Sequence, residues 1–176
     1  MSSNVQRPPF GAEELAKLTF EFYKRNYIEG LFLSSGIIKS PDYTMEQMVE
    51  VARILRDQHQ FQGYIHLKTI PDAAPELLEA AGRYADRLSI NVELPSRSSL
   101  GKLAPEKDAS RIRQAMASVR LKLDEKKEKS RHKNPREMKV TGQSTQMIVG
   151  ADASDDRKIL TTSASLYAGY KLRRVY

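Results

Sequence analysis

Apolar residues recur along the chain with two alternating periods, every third or fourth position in some stretches and every second in others. That alternation predicts the fold. In residues 11–27 (GAEELAKLTFEFYKRNY), Leu15, Leu18, Phe22 and, less closely, Tyr23 share one helical face. Gly30 stops that unit, and EGLFLSSG follows as a short apolar strand of the buried kind. Thr44, after Pro41 and Asp42, is expected to cap a second helix, with Gln47 completing a capping box. The face of that helix is Met48, Val51, Ala52 and Leu55. Gly63 opens the strand GYIHLKTI, which Pro71 closes.

The rhythm continues. Residues 75–85 (PELLEAAGRYA) read as a third helix with proline in its first turn, and RLSINVELP as a strand ending at Pro95. A polar connection leads to a fourth helix from near Asp108, with the stripe Ile112, Met116, Val119 and Leu123. The strand STQMIVG, a helix over 154–170 and a final run LRRVY complete the order. Strands alternating with helices of this length predict an α/β fold with right-handed crossovers and a parallel sheet of about five strands. The expected unit is a single domain over 1–176. An open doubly wound sheet and a (β/α) barrel both fit the pattern. A helix with no strand before it and a final strand with no helix after it favour a partial barrel, since a complete one takes ~250 residues.

The apolar residues amount to 40% of the chain and the charged ones to 29%, enough to bury a core and to exclude wholesale disorder. No window approaches the ~18 unbroken apolar residues of a membrane span. MSSNVQRPPF lacks the apolar stretch of a secretory signal, so a cytoplasmic protein is expected. Cysteine is absent, which excludes disulfides and thiolate metal ligation by these residues. The net charge is +7, and residues 120–139 hold nine Lys/Arg against four acids. Charge continues past the last apolar stripe residue, so 124–141 reads as a charged connection. Lys126, Lys127, Lys129 and Arg131 are its candidate nucleic-acid contacts.

Two strands carry polar rows. GYIHLKTI sets Ile65, Leu67 and Thr69 on one face against Tyr64, His66 and Lys68 on the other. RLSINVELP sets Leu88, Ile90, Val92 and Leu94 against Ser89, Asn91 and Glu93. The apolar rows must meet the helices, so the polar rows point to a barrel interior, where an unpaired polar group costs roughly 1–3 kcal/mol. A lumen holding a polar ligand explains them. A structural ion pair of Lys68 with Glu93, beside His66 as a core histidine, explains them too. Ser34, Ser35, Gly36 and Gly150 stand at strand ends, where barrel sites lie. The three histidines have no metal-ligand spacing, and neither GxxxxGK[ST], GxGxxG nor GxSxG occurs.

The segments NYIEGLFLSSGIIKSPDYTME, GYIHLKTIP, LSINVELPS and GQSTQMIVGA resemble a group of radical S-adenosylmethionine (SAM) proteins linked to DNA modification or repair and encoded beside a uracil-DNA-glycosylase-like protein. The resemblance runs from about Ser2 to Tyr176. It implies a radical SAM barrel core that uses SAM and a 4Fe–4S cluster in the intact protein. The family's CxxxCxxC loop would lie upstream of these residues, so the chain alone is expected to be inactive. Ser34, Ser35 and Gly36 match the position of the family's glycine-rich motif, usually GGE, which binds the methionine amino group, and depart from its GG. The resemblance implies that Asn91 and Glu93 meet the ribose or methionine end of SAM. It implies that Gln146 and Gly150 flank the adenine, and that His66 and Lys68 face SAM or substrate. A DNA base would have to be flipped out or single-stranded to enter the lumen. Nucleic acid and the glycosylase-like protein are the implied partners, and open sheet edges predict self-association. Two other functions fit the residues. One is a basic nucleic-acid-binding module, although no aromatic residue lies within 120–139 to stack on bases. The other is a non-radical barrel enzyme acting on a small anionic metabolite through Lys68 and Glu93.

Overall fold

A computed structural model describes residues 10–129 and 139–176. The elements follow in the order α1 (Ala12–Lys24), β1 (Gly30–Leu33), α2 (Pro41–Arg53) with a π-helical turn (Ile54–Gln58), β2 (Tyr64–Lys68), α3 (Pro75–Tyr84) and β3 (Arg87–Ser89). Then come α4 (Arg97–Leu103), α5 (Ala109–Lys129), β4 (Gly142–Thr145), α6 (Asp156–Tyr170) and β5 (Arg174–Val175). Every strand pair is parallel, and the strands lie in the sheet in chain order, β1-β2-β3-β4-β5. The expected α/β fold is therefore present.

Chain order separates the two architectures that the sequence left open. A doubly wound sheet reverses its strand order and carries helices on both faces. Here there is no reversal, so right-handed crossovers bring the helices to one face, as in a barrel segment. Burial agrees: Ile65, Leu67 and Leu88 are wholly buried, while Phe32 and Tyr64 on the other face are 60% and 46% exposed. The sheet does not close. β1 and β5 each have one edge without a strand partner among the described residues.

The core lies between this sheet and its helices. Met48, Val51, Ala52 and Leu55 of α2 and its π-helical turn, Leu78 and Ala81 of α3, and Ile112, Met116 and Val119 of α5 pack against the covered face. Each fully buried Leu, Ile, Val or Met contributes roughly 1.5–3 kcal/mol of transfer free energy. Gly30 allows β1 to lie against β2, because a Cβ there would come within 2.4 Å of the Tyr64 carbonyl oxygen. Among the described residues, no helix is long and apolar enough to cross a membrane.

Several local expectations are corrected. The buried side of α1 is Ala16 and Thr19, flanked by Leu15, Phe20 and Tyr23, whereas Leu18 and Phe22 are exposed. Small residues win this face because they let α1 approach α2 closely, and Thr19 satisfies its hydroxyl on the Leu15 carbonyl at 2.8 Å. α2 begins a turn earlier than expected. Ser40 is its cap, accepting from the Tyr43 N–H at 3.1 Å, and Pro41 takes the first helical position for which its fixed φ suits it. Thr44 is instead buried, donating to the Ser40 carbonyl and accepting from the Ile38 N–H. The charged stretch starts within a helix, since α5 runs on past Leu123 to Lys129. The polar connection before it contains α4, capped by Ser96.

Candidate functional site

The strand register lays out the uncovered face as a grid. Phe32 stands opposite His66, His66 opposite Arg87, and Arg87 opposite Gly142. One step towards the C-terminal ends of the strands, Lys68 stands opposite Ser89, Ser89 opposite Ser144, and Ser144 opposite Arg174. Register partners share a face, so these residues form two polar rows with Phe32 at one margin. The predicted polar row of His66 and Lys68 is thus real, and it faces away from the helices.

The predicted Lys68–Glu93 ion pair is not formed. Glu93 Oε1 instead accepts from Lys107 Nζ at 2.6 Å, with the carboxylate side chain 15% exposed. The reason is local. The β3 ladder ends at Ser89, and Glu93 adopts a left-handed φ of 64°, which breaks the alternation that would have kept it in the row. A bridge to Met147, with the Val92 N–H donating to Thr145 Oγ1 at 3.0 Å, holds the segment to the end of β4 and the chain after it.

Three of the predicted residues come together here. Asn91 is buried and its Nδ2 donates to Gln146 Oε1 at 3.3 Å. The Glu93 N–H donates to the Gln146 carbonyl at 3.1 Å, and the Ile148 N–H to the Glu93 carbonyl at 2.7 Å. The Asn91 and Gln146 side chains and the Glu93 backbone therefore make one polar knot beyond the C-terminal ends of β3 and β4, with the Glu93 carboxylate turned to Lys107. Ser34, Ser35 and Gly36 lie past β1, exposed, with the Ser35 hydroxyl donating to the Gly36 carbonyl at 2.7 Å. Gly150, with φ of 80°, is exposed in the loop after β4. Neither group is hydrogen-bonded to the knot among the described residues.

His66 is not a satisfied core histidine. Its ring meets Phe32 edge-on at 4.8 Å, and its buried Nε2 has no hydrogen-bond partner among the described residues. Burial, and then the neighbouring Arg87 charge, push its pKa down to about 4, so the ring is neutral near pH 7. Burial raises the Tyr64 phenol, and the Arg87 guanidinium beside it works in the opposite direction.

Two sets of polar residues escaped the sequence reading. Arg87 extends the Ser89 row by one more period of two, a signal that was present in RLS. The other set lies in two connections and in the helices that follow them. Ser96, Ser99, Lys102, Asp152, Ser154 and Lys158 line a cavity between the β3–α4 and β4–α6 connections. Hydrogen bonds, chiefly from Ser99, hold the Asp152 carboxyl below the usual range. Residues contributed by two separate segments share no periodicity by which to be recognised.

Three cations of the basic stretch, Arg120, Lys122 and Lys126, are internally engaged. Lys126 Nζ donates to the carbonyls of Lys139 and Val140 at 3.3 and 3.2 Å. Lys122 reaches Glu79 at 3.3 Å, and Arg120 reaches Asp124 at 3.6 Å. The side chains of Lys127 and Lys129 lie outside the described residues, as does Arg131.

The 176 residues contain no cysteine, and among the described residues no group of three or more His, Asp or Glu is placed to hold a metal ion. They do not supply the ligand set of a 4Fe–4S cluster. The chain matches no protein-family model and no curated protein.

Proposed function

We propose that this chain is part of a SAM-binding barrel core of the radical SAM type, which in the intact protein modifies or repairs a nucleic-acid base. The observation that carries the reading is the polar knot of Asn91, Glu93 and Gln146 beyond adjacent strands of a one-sided parallel sheet. Ligands of barrels collect at this end of the strands. The Glu93 carboxylate would accept from the amino group or a ribose hydroxyl of SAM. The amides of Asn91 and Gln146, which can each donate and accept, would hold its remaining polar atoms. His66 and Lys68, on the row below, would border the ligand. The cluster thiolates would have to come from outside these residues, so no chemical step is assigned to them. Binding by the chain alone would be weak, because the cluster supplies much of SAM's anchoring in such enzymes. The edges of β1 and β5, unpaired among the described residues, would join further strands or a second copy, and a glycosylase-like protein is the partner that the resemblance suggests.

Ultraviolet cross-linking of radiolabelled SAM, followed by peptide mapping, detects weak binding directly. Label is expected within residues 89–93 and 144–148, competed by S-adenosylhomocysteine and lost in Asn91→Ala. Label spread evenly over the surface, or unchanged by competitor and by Asn91→Ala, would overturn the reading.

A further inference from the structure

The uncovered face carries a second feature, on the strands themselves rather than beyond their C-terminal ends. His66, Arg87 and Ser144 lie on three adjacent strands, on one face, within one register step of each other. His66 Nε2, Arg87 Nε and Ser144 Oγ are all shielded from solvent, and none has a hydrogen-bond partner among the described residues. Ser144 is wholly buried. A fourth such atom, Gln143 Oε1, belongs to the covered face, opposite Leu88; the other three, on neighbouring strands of one face, call for a shared partner.

Charge on this face is of one sign. Gly142 has no side chain, and the space is taken by Arg173, whose Cγ would lie 2.5 Å from a Cβ there. Arg174 stands opposite Ser144 with its guanidinium 5.5 Å above the Tyr176 ring. None of the ion pairs among the described residues uses Arg87, Arg173 or Arg174. Asp86, next to Arg87 in sequence, is on the other side of the strand and bound to Arg56. Each of the three orphan atoms can donate a hydrogen bond, His66 through its Nε2–H tautomer. A tetrahedral dianion accepts from several donors at once, and guanidinium is the side chain best matched to it.

We propose that this face binds a phosphate-type oxyanion, with Arg87, His66 and Ser144 as the inner donors and Arg173 and Arg174 at the rim. The site borders the proposed SAM site at His66 and Ser144 but does not use Asn91, Glu93 or Gln146, so Asn91→Ala should abolish SAM labelling and leave phosphate binding intact. It implies a small phosphorylated ligand, because the three inner donor atoms are shielded from solvent and the His66 ring packs against Phe32.

The test is calorimetric titration of the full chain with inorganic phosphate and, separately, with a nucleoside 5′-monophosphate, at fixed ionic strength. Saturable one-site binding is expected, with a shift of the His66 ring resonances. Arg87→Gln should weaken it about tenfold or more, as loss of a charge-assisted contact does. Ser144→Ala should weaken it several-fold and leave the thermal midpoint in ligand-free buffer unchanged, since its hydroxyl has no partner to lose. Should Arg87→Gln fail to fold, Ser144→Ala carries the test. Tighter binding of the nucleotide identifies a phosphate monoester as the ligand, and equal binding identifies phosphate itself. Absence of saturable binding to either probe, or binding that a folded Arg87→Gln or Ser144→Ala leaves intact, overturns the proposal.

Discussion

Arg56 and Asp86 meet at 2.7 Å, 30 residues apart in sequence, and join three segments of the chain. The same guanidinium donates to the carbonyls of Phe61, Gly63 and Tyr84, and Asp86 Oδ2 also accepts from the Ile65 N–H at 2.8 Å. The π-helical turn after α2 is thereby clamped to the entries of β2 and β3. Burial lowers the Arg56 pKa and Asp86 opposes that shift, which is the signature of a partly desolvated pair. Arg56→Met leaves Asp86 without its cation and three carbonyls without this donor. We expect a loss of about 3 kcal/mol in urea unfolding, the scale for removing one partner of a buried pair. Asp86→Asn keeps an acceptor for the Ile65 N–H and should cost less. A loss below about 1 kcal/mol for Arg56→Met would show that the clamp contributes no more than a surface pair.

His66 predicts a pH dependence. Its folded pKa of about 4 lies below the ordinary value of 6.5, so between those values the unfolded chain takes up a proton that the folded one refuses. Stability from this group is complete above about pH 6.5, declines as the pH falls through the window and is lost near pH 4. In a proton NMR titration the His66 ring should have its midpoint near 4, and His66→Phe should flatten the acid limb of the stability curve. A midpoint near 6.5 would mean that neither burial nor Arg87 acts on the ring.

How far the sequence was legible depends on what each residue must satisfy. The faces of α2 and α5 were readable because Met48, Val51, Ile112 and Met116 are buried by tertiary packing that keeps the helical period. The face of α1 was not, because Ala16 and Thr19 contribute little hydrophobic signal while Leu18 and Phe22 contribute much and remain in solvent. Chain order in the sheet depends on crossover direction, to which hydrophobic period is blind. The row of His66 and Lys68 was legible from a period of two. Its continuation to Glu93 was not, since nothing in INVEL marks the left-handed backbone that turns the carboxylate to Lys107. Arg87 and Ser144 needed the register of β2, β3 and β4 to become neighbours.

Glu93 provides the last test, because its backbone and its carboxylate make opposite demands. A non-glycine residue at φ of 64° carries strain on the order of 1 kcal/mol that glycine does not. The Lys107 contact is partly solvent-exposed, its lysine 39% so, and is worth about 0–1 kcal/mol. Glu93→Gly should therefore unfold at the same urea concentration as the parent or slightly higher. Glu93→Ala loses the carboxylate without gaining backbone freedom and should be the least stable of the three, by about 1 kcal/mol relative to glycine. Equal midpoints for Gly and Ala would show that the left-handed turn carries no strain. If the carboxylate contacts SAM, both variants should lose cross-linked label to the same extent despite their different stabilities. Strain kept at a position where glycine would be easier is then attributable to the ligand that the carboxylate serves. Retained label in Glu93→Gly would remove Glu93 from the site and leave Asn91 and Gln146 to hold the ligand.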